Sequence, residues 1–496
     1  MTREHRRLLV AVLATVAVLA PLGYLWWQSR VPGEYSVMDM GYADYGGGPH
    51  APAGMPGMRP GMRPGGDRVS VAGLVADPHR KADVTVDLTA RRQTFRLASG
   101  RRVDGYTVNG RSPGPLIEVT QGQLVEVHLT NASVPDGITL HWHGVDVPNA
   151  EDGVAGVTQN AVRIGQTYTY RFVAKDAGTY WYHSHQVSHE QVVGGLLGPL
   201  VVRPRHPARS VVDRLALAHT YDGYQTLNGR EGVTHVDSRP GQTVRVRVVN
   251  TDIGPVATWA SAPYTLAAVD GRDLHGPTPV TGRRYVVPAG GRADLKVQVP
   301  ADGSGVRVQV GASTALTLGP PGVRVPEVPE PRQDLDLLSY GTPAPLGFDA
   351  GHADRHFEFS IGRRPGFVNG VPGLWWSING HLFPDVPMFV VDKGDIVAMH
   401  IDNHSGDVHP MHLHGHHAVV LARDGRPSTG SPWWVDSLDV ANGDSYDIAF
   451  VADNPGVWMD HCHNLTHAAQ GLVAHLMYAG VTEPYEVGGP SGNEPE

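Results

Sequence analysis

The sequence GQLVEVHLTN, residues 122–131, recurs as GQTVRVRVVN at 241–250 and as GDIVAMHIDN at 394–403. Each copy has a turn glycine, an alternating run typical of a β-strand, and a closing asparagine. A second alternating run follows each copy after a similar gap: GQTYTYRF at 165–172, GRADLKVQ at 291–298 and GDSYDIAF at 443–450. Two elements aligned in three registers predict three related antiparallel β-sandwiches.

The composition agrees with a mainly β protein, because 61 glycines and 40 prolines suit many short strands joined by turns. A chain of 496 residues has room for about three domains, each with its own core. We place the sandwiches at residues 83–205, 206–330 and 351–482, with a linker at 331–350 and a C-terminal tail at 483–496. A formal charge of -9 and no long basic run argue against a nucleic acid partner.

Residues 1–30 are interpreted as a signal anchor. An uncharged run of twenty residues, 8–27, follows Arg3, Arg6 and Arg7 and is long enough to span a bilayer. A cleaved signal peptide is the alternative, and it would begin in the same way. Both interpretations predict an exported protein, and we expect it to stay anchored to the cell membrane. The single cysteine, Cys462, then has no internal disulfide partner and is free for another role.

Residues 31–82 are predicted to be a flexible tether rich in methionine, glycine and proline. The tether contains Met38, Met40, Met55, Met58 and Met62. Thioethers are soft ligands, so the second hypothesis for this segment is the capture of Cu(I), with His50 as a further ligand.

Histidines recur in pairs with i, i+2 spacing, which on a strand places both imidazoles on one face. The four pairs are His141/His143, His183/His185, His412/His414 and His461/His463. The repeat aligns the first pair with the third and the second with the fourth, whereas the middle domain has none. The eight imidazoles are therefore predicted to meet between the first and third domains.

Eight imidazoles exceed the coordination number of one metal ion, whereas sets of two, three and three would hold three ions. His409, Cys462 and His467 remain, and two histidines with one cysteine form the ligand set of blue-copper electron transfer. Leu472 stands ten residues after the cysteine and has no donor atom, which favours a high reduction potential. A hydrolytic zinc site is the competing use of clustered histidines, but it needs neither the cysteine nor so many ligands.

The motifs HWHG at 141–144, HSH at 183–185, HPMHLHGH at 409–416 and HCH at 461–463, with His467 and Leu472, resemble the four copper motifs of multicopper oxidases. The resemblance extends from about residue 83 to 480. It implies an all-β fold of three cupredoxin-like Greek-key sandwiches. It also implies an enzyme that oxidises a reducing substrate one electron at a time and reduces dioxygen to water.

The resemblance further implies four coppers per chain. The type 1 copper would be bound by His409, Cys462 and His467, with Leu472 in the axial position without coordinating. The type 2 copper would be bound by His141 and His412. The type 3 pair would be bound by the six remaining histidines, His143, His183, His185, His414, His461 and His463.

Asp152 falls where family members have a carboxylate that helps deliver protons to the copper cluster. The resemblance therefore implies two catalytic residues, Asp152 and Cys462. Many bacterial relatives also have a glutamate immediately before the last histidine. This chain has Thr466 there, and Asp460 is the candidate substitute. We interpret Trp433 and Trp434 as core residues, with positions along a substrate's route to the type 1 copper as the alternative.

Dioxygen and a small reductant are the predicted partners, together with the membrane. A phenol in the manner of laccases is the expected substrate, with Cu(I), ferrous iron or a bilirubin-like pigment as alternatives. A protein of another class, a non-catalytic copper-binding envelope protein, would be marked by lost ligands, and none of the ten histidines is lost.

Overall fold

The computed structural model describes residues 2–48, 68–207 and 210–496. These residues form pairs of β-sheets with few helices, which confirms the predicted all-β class. The N-terminal run forms the helix α1, Arg3–Gln28, in which no residue is buried. This helix is long and apolar enough to cross a membrane.

Short strands follow the helix, so the prediction of a flexible tether is wrong for residues 34–44 and 69–73. The strands are β1 Glu34–Tyr35, β2 Tyr42–Asp44 and β3 Val69–Ser70, with 3-10 helices at Val37–Asp39 and Val71–Gly73. They pair with the strands Val487–Gly488, Pro387–Val391 and Val481–Thr482, respectively.

Burial of apolar side chains explains why this segment is ordered. Met38 and Met40 are 1% and 7% exposed and belong to the core beneath the last sheets of the chain. The Ser36 hydroxyl donates to the Glu483 carboxylate, and the Glu483 N–H donates to the Met38 sulfur at 3.4 Å. Both methionines are therefore structural, whereas His50, Met55, Met58 and Met62 lie outside the described residues.

The first pair of sheets has the strand orders β5-β4-β7-β9 and β6-β11-β10-β8. Its elements are β4 Val84–Arg96, β5 Arg102–Val108, β6 Ile117–Thr120, β7 Leu124–Asn131, β8 His141–His143, a 3-10 helix Asn149–Glu151, β9 Thr167–Val173, β10 Gly178–His183, α2 Ser188–Gln191 and β11 Leu197–Arg203.

The second pair has the orders β14-β13-β12-β16-β21-β18-β19 and β15-β23-β22-β17-β20-β24. Its strands are β12 Val211–Tyr221, β13 Tyr224–Leu227, β14 Arg230–Glu231, β15 Val233–Asp237, β16 Thr243–Asn250, β17 Val256–Ala260, β18 Tyr264–Val269, β19 Arg272–Asp273, β20 Arg283–Val287, β21 Arg292–Gln298, β22 Val306–Val310, β23 Thr314–Gly319 and β24 Gln333–Asp334.

The third pair has the orders β26-β25-β28-β34-β30-β31, with β32 against β30, and β2-β27-β36-β35-β29-β33. Its elements are a 3-10 helix Ala350–His352, β25 Arg355–Val368, β26 Val371–Ile378, β27 Pro387–Val391, β28 Ile396–Asn403, β29 His409–Leu413, β30 Ala418–Arg423, β31 Arg426–Pro427, β32 Trp433–Val435, β33 Ser437–Val440, β34 Ser445–Val451, β35 Val457–Cys462, α3 Leu465–Ala469, β36 Val473–Tyr478, β37 Val481–Thr482, β38 Val487–Gly488 and a 3-10 helix Gly489–Ser491.

The repeated sequences occupy equivalent strands. The three copies form the strands β7, β16 and β28, and the asparagine that closes each copy is the last residue of its strand. Each of these strands pairs antiparallel with the strand formed by the second run, which is β9, β21 or β34, respectively. The closing asparagine is buried in all three copies, and its side-chain amide donates to two or three later backbone carbonyls. Asn131, for example, donates to Val134 O at 2.9 Å and to Val162 O at 2.8 Å. The asparagine recurs because it satisfies buried carbonyls where the chain leaves the strand.

Candidate metal centre

The histidine pairs lie on adjacent strands of two sheets. In the first sheet pair β8 lies beside β10, with His141 opposite His183. In the third, β29 lies beside β35, with His412 opposite His461. Because side chains alternate along a strand, each pair presents both imidazoles on one face. The structure brings the two faces together, as the repeat predicts.

The eight buried imidazoles form three groups in which nitrogen atoms lie within 4.8 Å of one another. The groups are His141 with His143 and His412, His143 with His183 and His463, and His185 with His414 and His461. His143 stacks on His412 at 3.7 Å between ring centres, and His141 stacks on His414 at 3.8 Å. We call these eight side chains the histidine cluster.

Burial lowers the pKa of seven cluster imidazoles and so favours their neutral form: His143, His183, His185, His412, His414, His461 and His463. Desolvation, reinforced by neighbouring imidazoles, lowers the pKa of His461 to about 3 and places that of His183, for example, well below its usual value. A neutral imidazole offers a lone pair, which is the form that binds metal.

Backbone carbonyls orient several of these rings. Nδ1 of His141 lies 2.9 Å from the Asp152 carbonyl oxygen, and Nδ1 of His412 lies 2.7 Å from that of Asp436. A carbonyl accepts only, so Nδ1 carries the hydrogen in each ring and Nε2 carries the lone pair. The two Nε2 atoms lie 3.4 Å apart, where one ion would bind both.

Unpaired nitrogens provide a test of whether the cluster suits metal ions. In the described part of the chain, His183 Nε2, His185 Nε2 and both ring nitrogens of His463 are buried without a hydrogen-bond partner. Buried polar atoms are rarely left unpaired, and a metal ion would satisfy them. The residues present therefore fit copper, for which imidazole is a suitable ligand.

Asp152 lies at the edge of the cluster, where the resemblance predicts a carboxylate. Its two oxygens lie 3.1 Å from His141 Nδ1 and 3.0 Å from His414 Nδ1. The side chain is 1% exposed, and burial raises its pKa above the usual aspartate value. Its role in proton delivery stays a prediction.

Sequence analysis missed two other carboxylates at the cluster. One Asp436 oxygen lies 3.3 Å from His143 Nε2, and the other lies 3.2 Å from His417 Nε2. Glu496 Oε1 lies 3.3 Å from His461 Nδ1, and burial raises the pKa of Glu496 to about 8. No motif marks either residue, since each reaches the cluster only through tertiary folding.

Glu496 also bears on the position of Thr466, where many bacterial relatives have a glutamate. Asp460, the candidate substitute, follows Met459 and precedes His461 on β35, so it points to the opposite face from His461. The carboxylate that contacts His461 comes from residues 483–496, which the sequence presents only as a tail.

His409, Cys462 and His467 form a second site. Cys462 Sγ lies 3.6 Å from His409 Nδ1 and 3.8 Å from His467 Nδ1, and the two nitrogens are 3.2 Å apart. These atoms converge on one point, with the soft sulfur and two imidazoles that suit copper. Leu472 is fully buried, and its backbone donates to His467 O and accepts from the Cys462 N–H.

The two histidines of this site differ in exposure. His409 is buried, and its Nε2 lies 2.7 Å from the Ser405 hydroxyl. His467 is partly exposed. Trp376 packs against both rings, at 4.7 Å from His409 and 4.4 Å from His467. A substrate would therefore reach the site at the exposed edge of His467.

The second site is joined to the cluster by a single peptide stretch. Cys462 belongs to the second site, while His461 and His463 on either side of it belong to two different groups of the cluster. Alternation along β35 and its end produces this division. Electrons can therefore pass from the sulfur to the cluster through covalent bonds.

The structure confirms the predicted core position for one of the two tryptophans and contradicts it for the other. Trp433 is 8% exposed and belongs to the core, as predicted. Trp434 instead lines a cavity of about 430 Å³ together with Phe348, His416 and His417. The prediction of a core position for Trp434 is therefore wrong.

Comparisons with known proteins agree with this geometry. Family models described as multicopper oxidase match residues 89–207 and 354–480. Multicopper oxidase MmcO of Mycobacterium tuberculosis is 28% identical over 82% of this chain and 89% of its own length. Laccase-1 of Botryotinia fuckeliana is 27% identical over 74% of this chain and 77% of its own length.

A crystal structure of a multi-copper oxidase from Pseudomonas thermotolerans superposes with a TM-score of 0.66. It is 28% identical and covers 80% of this chain and all of that one. The family models match the two segments of the chain that carry the histidine cluster and the cysteine site. The chain therefore belongs to the multicopper oxidase family and is a copper-dependent oxidoreductase that uses dioxygen as its electron acceptor.

Proposed function

We propose that each chain holds four coppers and couples the one-electron oxidation of a phenol-type substrate to the four-electron reduction of dioxygen to water. His409, Cys462 and His467 would hold the type 1 copper beside Leu472. His141 and His412 would hold the type 2 copper, and the other six cluster histidines would hold the type 3 pair. The observation that carries this proposal is the convergence of all ten histidines and the cysteine into two sites joined by residues 461–463.

Bound copper supplies one-electron redox chemistry, and the protein supplies positions, charges and protons. Backbone carbonyls fix the orientation of the His141 and His412 imidazoles. His467 presents its edge to the substrate, and Cys462 connects that edge to the cluster. Metal analysis, with anaerobic reduction and counting of the electrons given up on reoxidation, tests the assignment. Four coppers and four electrons per chain are expected, and one of each would contradict it.

The surroundings of His467 favour a neutral aromatic substrate over a metal cation. The Arg363 guanidinium lies 3.8 Å from the centre of the Trp376 ring. After desolvation by burial, the charges of His467 and Arg363 are the further causes that lower the pKa of His409, to about 3. Arg363 pairs with Asp407 at 3.0 Å, so the carboxylate whose charge acts on His467 is already matched by a cation and does not form an acidic site for a metal ion. A neutral substrate is therefore favoured. The relative from Botryotinia fuckeliana is named a laccase, which agrees with a phenol-type substrate.

The cuprous alternative is tested by comparing substrates. We expect a phenolic dye to be oxidised with a higher kcat/KM than Cu(I) or Fe(II). Met55, Met58 and Met62 replaced together by leucine should leave phenol oxidation unchanged. A large fall of Cu(I) oxidation in this triple variant would instead support the cuprous hypothesis. Substitution is preferable to deletion, because Met38 and Met40 are buried in the core.

Asp152→Asn is expected to lower kcat by about 10²-fold, the lower end of the effect of a general acid. The carboxamide keeps the size of the side chain but cannot give up a proton near His141 and His414. Stopped-flow measurement separates the two half-reactions. Reduction of the blue copper by substrate should be unchanged, while reoxidation by dioxygen slows.

The control for Asp152 is Asp146→Asn, a partly exposed carboxylate that contacts His417 at 3.2 Å but no histidine of the cluster. This variant should reoxidise at nearly the wild-type rate. Equal slowing in both variants would contradict a specific role for Asp152.

We propose that α1 stays attached and anchors the enzyme to the membrane, with the body exported. The helix exposes every residue along its length, as a membrane span requires. Its end contacts the body where the Gly370 N–H donates to the Ser29 hydroxyl at 3.1 Å. Recovery of the full-length chain in carbonate-washed membranes tests the proposal, and a shorter soluble chain would refute it.

A further inference from the structure

A cavity of about 450 Å³ lies beside the histidine cluster, between the N-terminal segment, the strands β35 and β36, and the end of the chain. We call it the thioether cavity, after the two methionines in its wall. Its lining includes the sulfur-containing, imidazole and carboxylate side chains of Met40, His189, Met459, His475, Glu494 and Glu496, together with Tyr35 and Asn369. The mechanism proposed above assigns no role to these methionines and histidines, which are Met40, Met459, His189 and His475.

His475 has an unexplained nitrogen. The side chain is 4% exposed, and its Nε2 is buried without a hydrogen-bond partner in the described part of the chain. His189 also lines the cavity, and its Nδ1 atom is likewise buried without a hydrogen-bond partner among the described residues. A buried polar atom without a partner costs free energy, so two in one cavity indicate a ligand that binds there.

Sulfur atoms flank His475 on its sheet. In the strand register Met459 of β35 lies opposite His475 on one side, and Met388 of β27 lies opposite it on the other. Residues directly opposite on neighbouring strands point to the same face, with their Cβ atoms about 5 Å apart. Met40 reaches the cavity from the N-terminal segment, which is fixed there by the pairing of β2 with β27.

These donors select the class of metal. Thioethers are soft, uncharged ligands that suit Cu(I), and imidazole binds copper as well. Zinc and Cu(II) sites normally contain thiolate, carboxylate or several imidazoles instead. The two carboxylates of the wall are less suited to a soft ion, and Glu496 already contacts His461 and Ser188.

We propose that the thioether cavity binds one Cu(I) through His475 Nε2 and the sulfur atoms of Met459 and Met40. This site is additional to the four coppers of the proposed function and does not depend on which reductant the enzyme oxidises. It places a cuprous ion next to Glu496, and thus close to the histidine cluster.

The experiment measures Cu(I) binding by the fully copper-loaded, full-length enzyme after anaerobic reduction. All samples carry leucine in place of Met55, Met58 and Met62, which removes the thioethers of residues 49–67. Competition with a chromophoric Cu(I) chelator should show one tightly bound Cu(I) beyond the four reduced cofactor ions. Met459→Leu should weaken this site at least tenfold, and His475→Leu should abolish it.

Met399→Leu is the matched control, because Met399 is equally buried, at 3% exposed, but lies on β28 away from the cavity. It should bind Cu(I) as the parent does. Leucine for methionine conserves volume, so the Met459 variant remains decisive even if His475→Leu does not fold. Undiminished blue absorption and phenol oxidation verify that each variant is loaded and intact.

Equal Cu(I) affinity in the parent, Met459→Leu and Met399→Leu would overturn the proposal, as would the absence of any additional Cu(I) in the parent. Either result leaves the oxidase function untouched, since that function is read from the blue absorption and from phenol oxidation. Loss of those two signals in the parent would refute the oxidase function instead.

Discussion

Cys462→Ser is expected to abolish the intense blue absorption of the type 1 copper and to reduce substrate oxidation to background. A serine hydroxyl is a hard, protonated donor and does not replace the thiolate between His409 and His467. It also removes the sulfur from the short covalent path that joins the cysteine site to His461 and His463 of the cluster. The histidine cluster should keep its copper, because the neighbouring ligands His461 and His463 point to the opposite face from residue 462.

Metal analysis and electron counting measure this effect. We expect three coppers and three electrons per chain in Cys462→Ser, compared with four of each in the wild type. Met411→Leu is the matched control, since Met411 is buried directly opposite Cys462 in the strand register but is not one of the proposed ligands. It should keep its colour and activity. A blue Cys462→Ser variant would refute the assignment of the type 1 site.

Strand alternation explains why much of the candidate site could be predicted from the sequence. An i, i+2 pair such as His141 and His143 shares a face wherever the strand occurs, so spacing alone fixes that relation. The threefold repeat then assigned each pair to an equivalent strand. The repeated asparagine, exemplified by Asn131, carried further information, because its buried amide satisfies carbonyls where the strand ends.

Local pattern could not predict contacts between distant parts of the chain. β1 and β2 are two and three residues long, too short for a periodic signal, and they form by pairing with strands near the end of the chain. Composition therefore suggested a flexible tether where Met38 is buried. Glu496 was missed for the same reason, since its contact with His461 depends on how the last residues pack.

The middle domain carries no copper ligand, yet it contributes a buried cation that organises the other two. Arg292 of β21 donates through Nε to the Thr179 carbonyl of β10 at 3.1 Å. Its guanidinium also holds both oxygens of Asp436, which follows β32 in the third pair of sheets, and lies 3.6 Å from Asp270. Burial raises the pKa of the Asp436 carboxyl, but Arg292 outweighs burial and holds that pKa well below its usual value.

Arg292→Leu is expected to lower the free energy of unfolding by about 3–5 kcal/mol, the cost of removing one partner of a buried ion pair. The carboxylates of Asp436 and Asp270 would be left in a low-dielectric interior without their cation. The backbone carbonyl of Asp436 also orients His412, so loss of copper from the cluster should accompany the destabilisation. Guanidinium denaturation of the copper-free and copper-loaded forms measures both effects.

Arg203→Leu provides the contrast for Arg292→Leu. Arg203 pairs with Glu118 and Asp213, but its side chain is 37% exposed, so its loss should cost at most about 1 kcal/mol. Arg292→Lys should fall between the two, because lysine keeps the charge but not the two-pronged contact with Asp436. If Arg292→Leu were no less stable than Arg203→Leu, with its copper retained, the arginine would be a passive core residue. The larger effect is expected because Arg292 is fully buried and contacts residues of all three pairs of sheets, Thr179, Asp270 and Asp436.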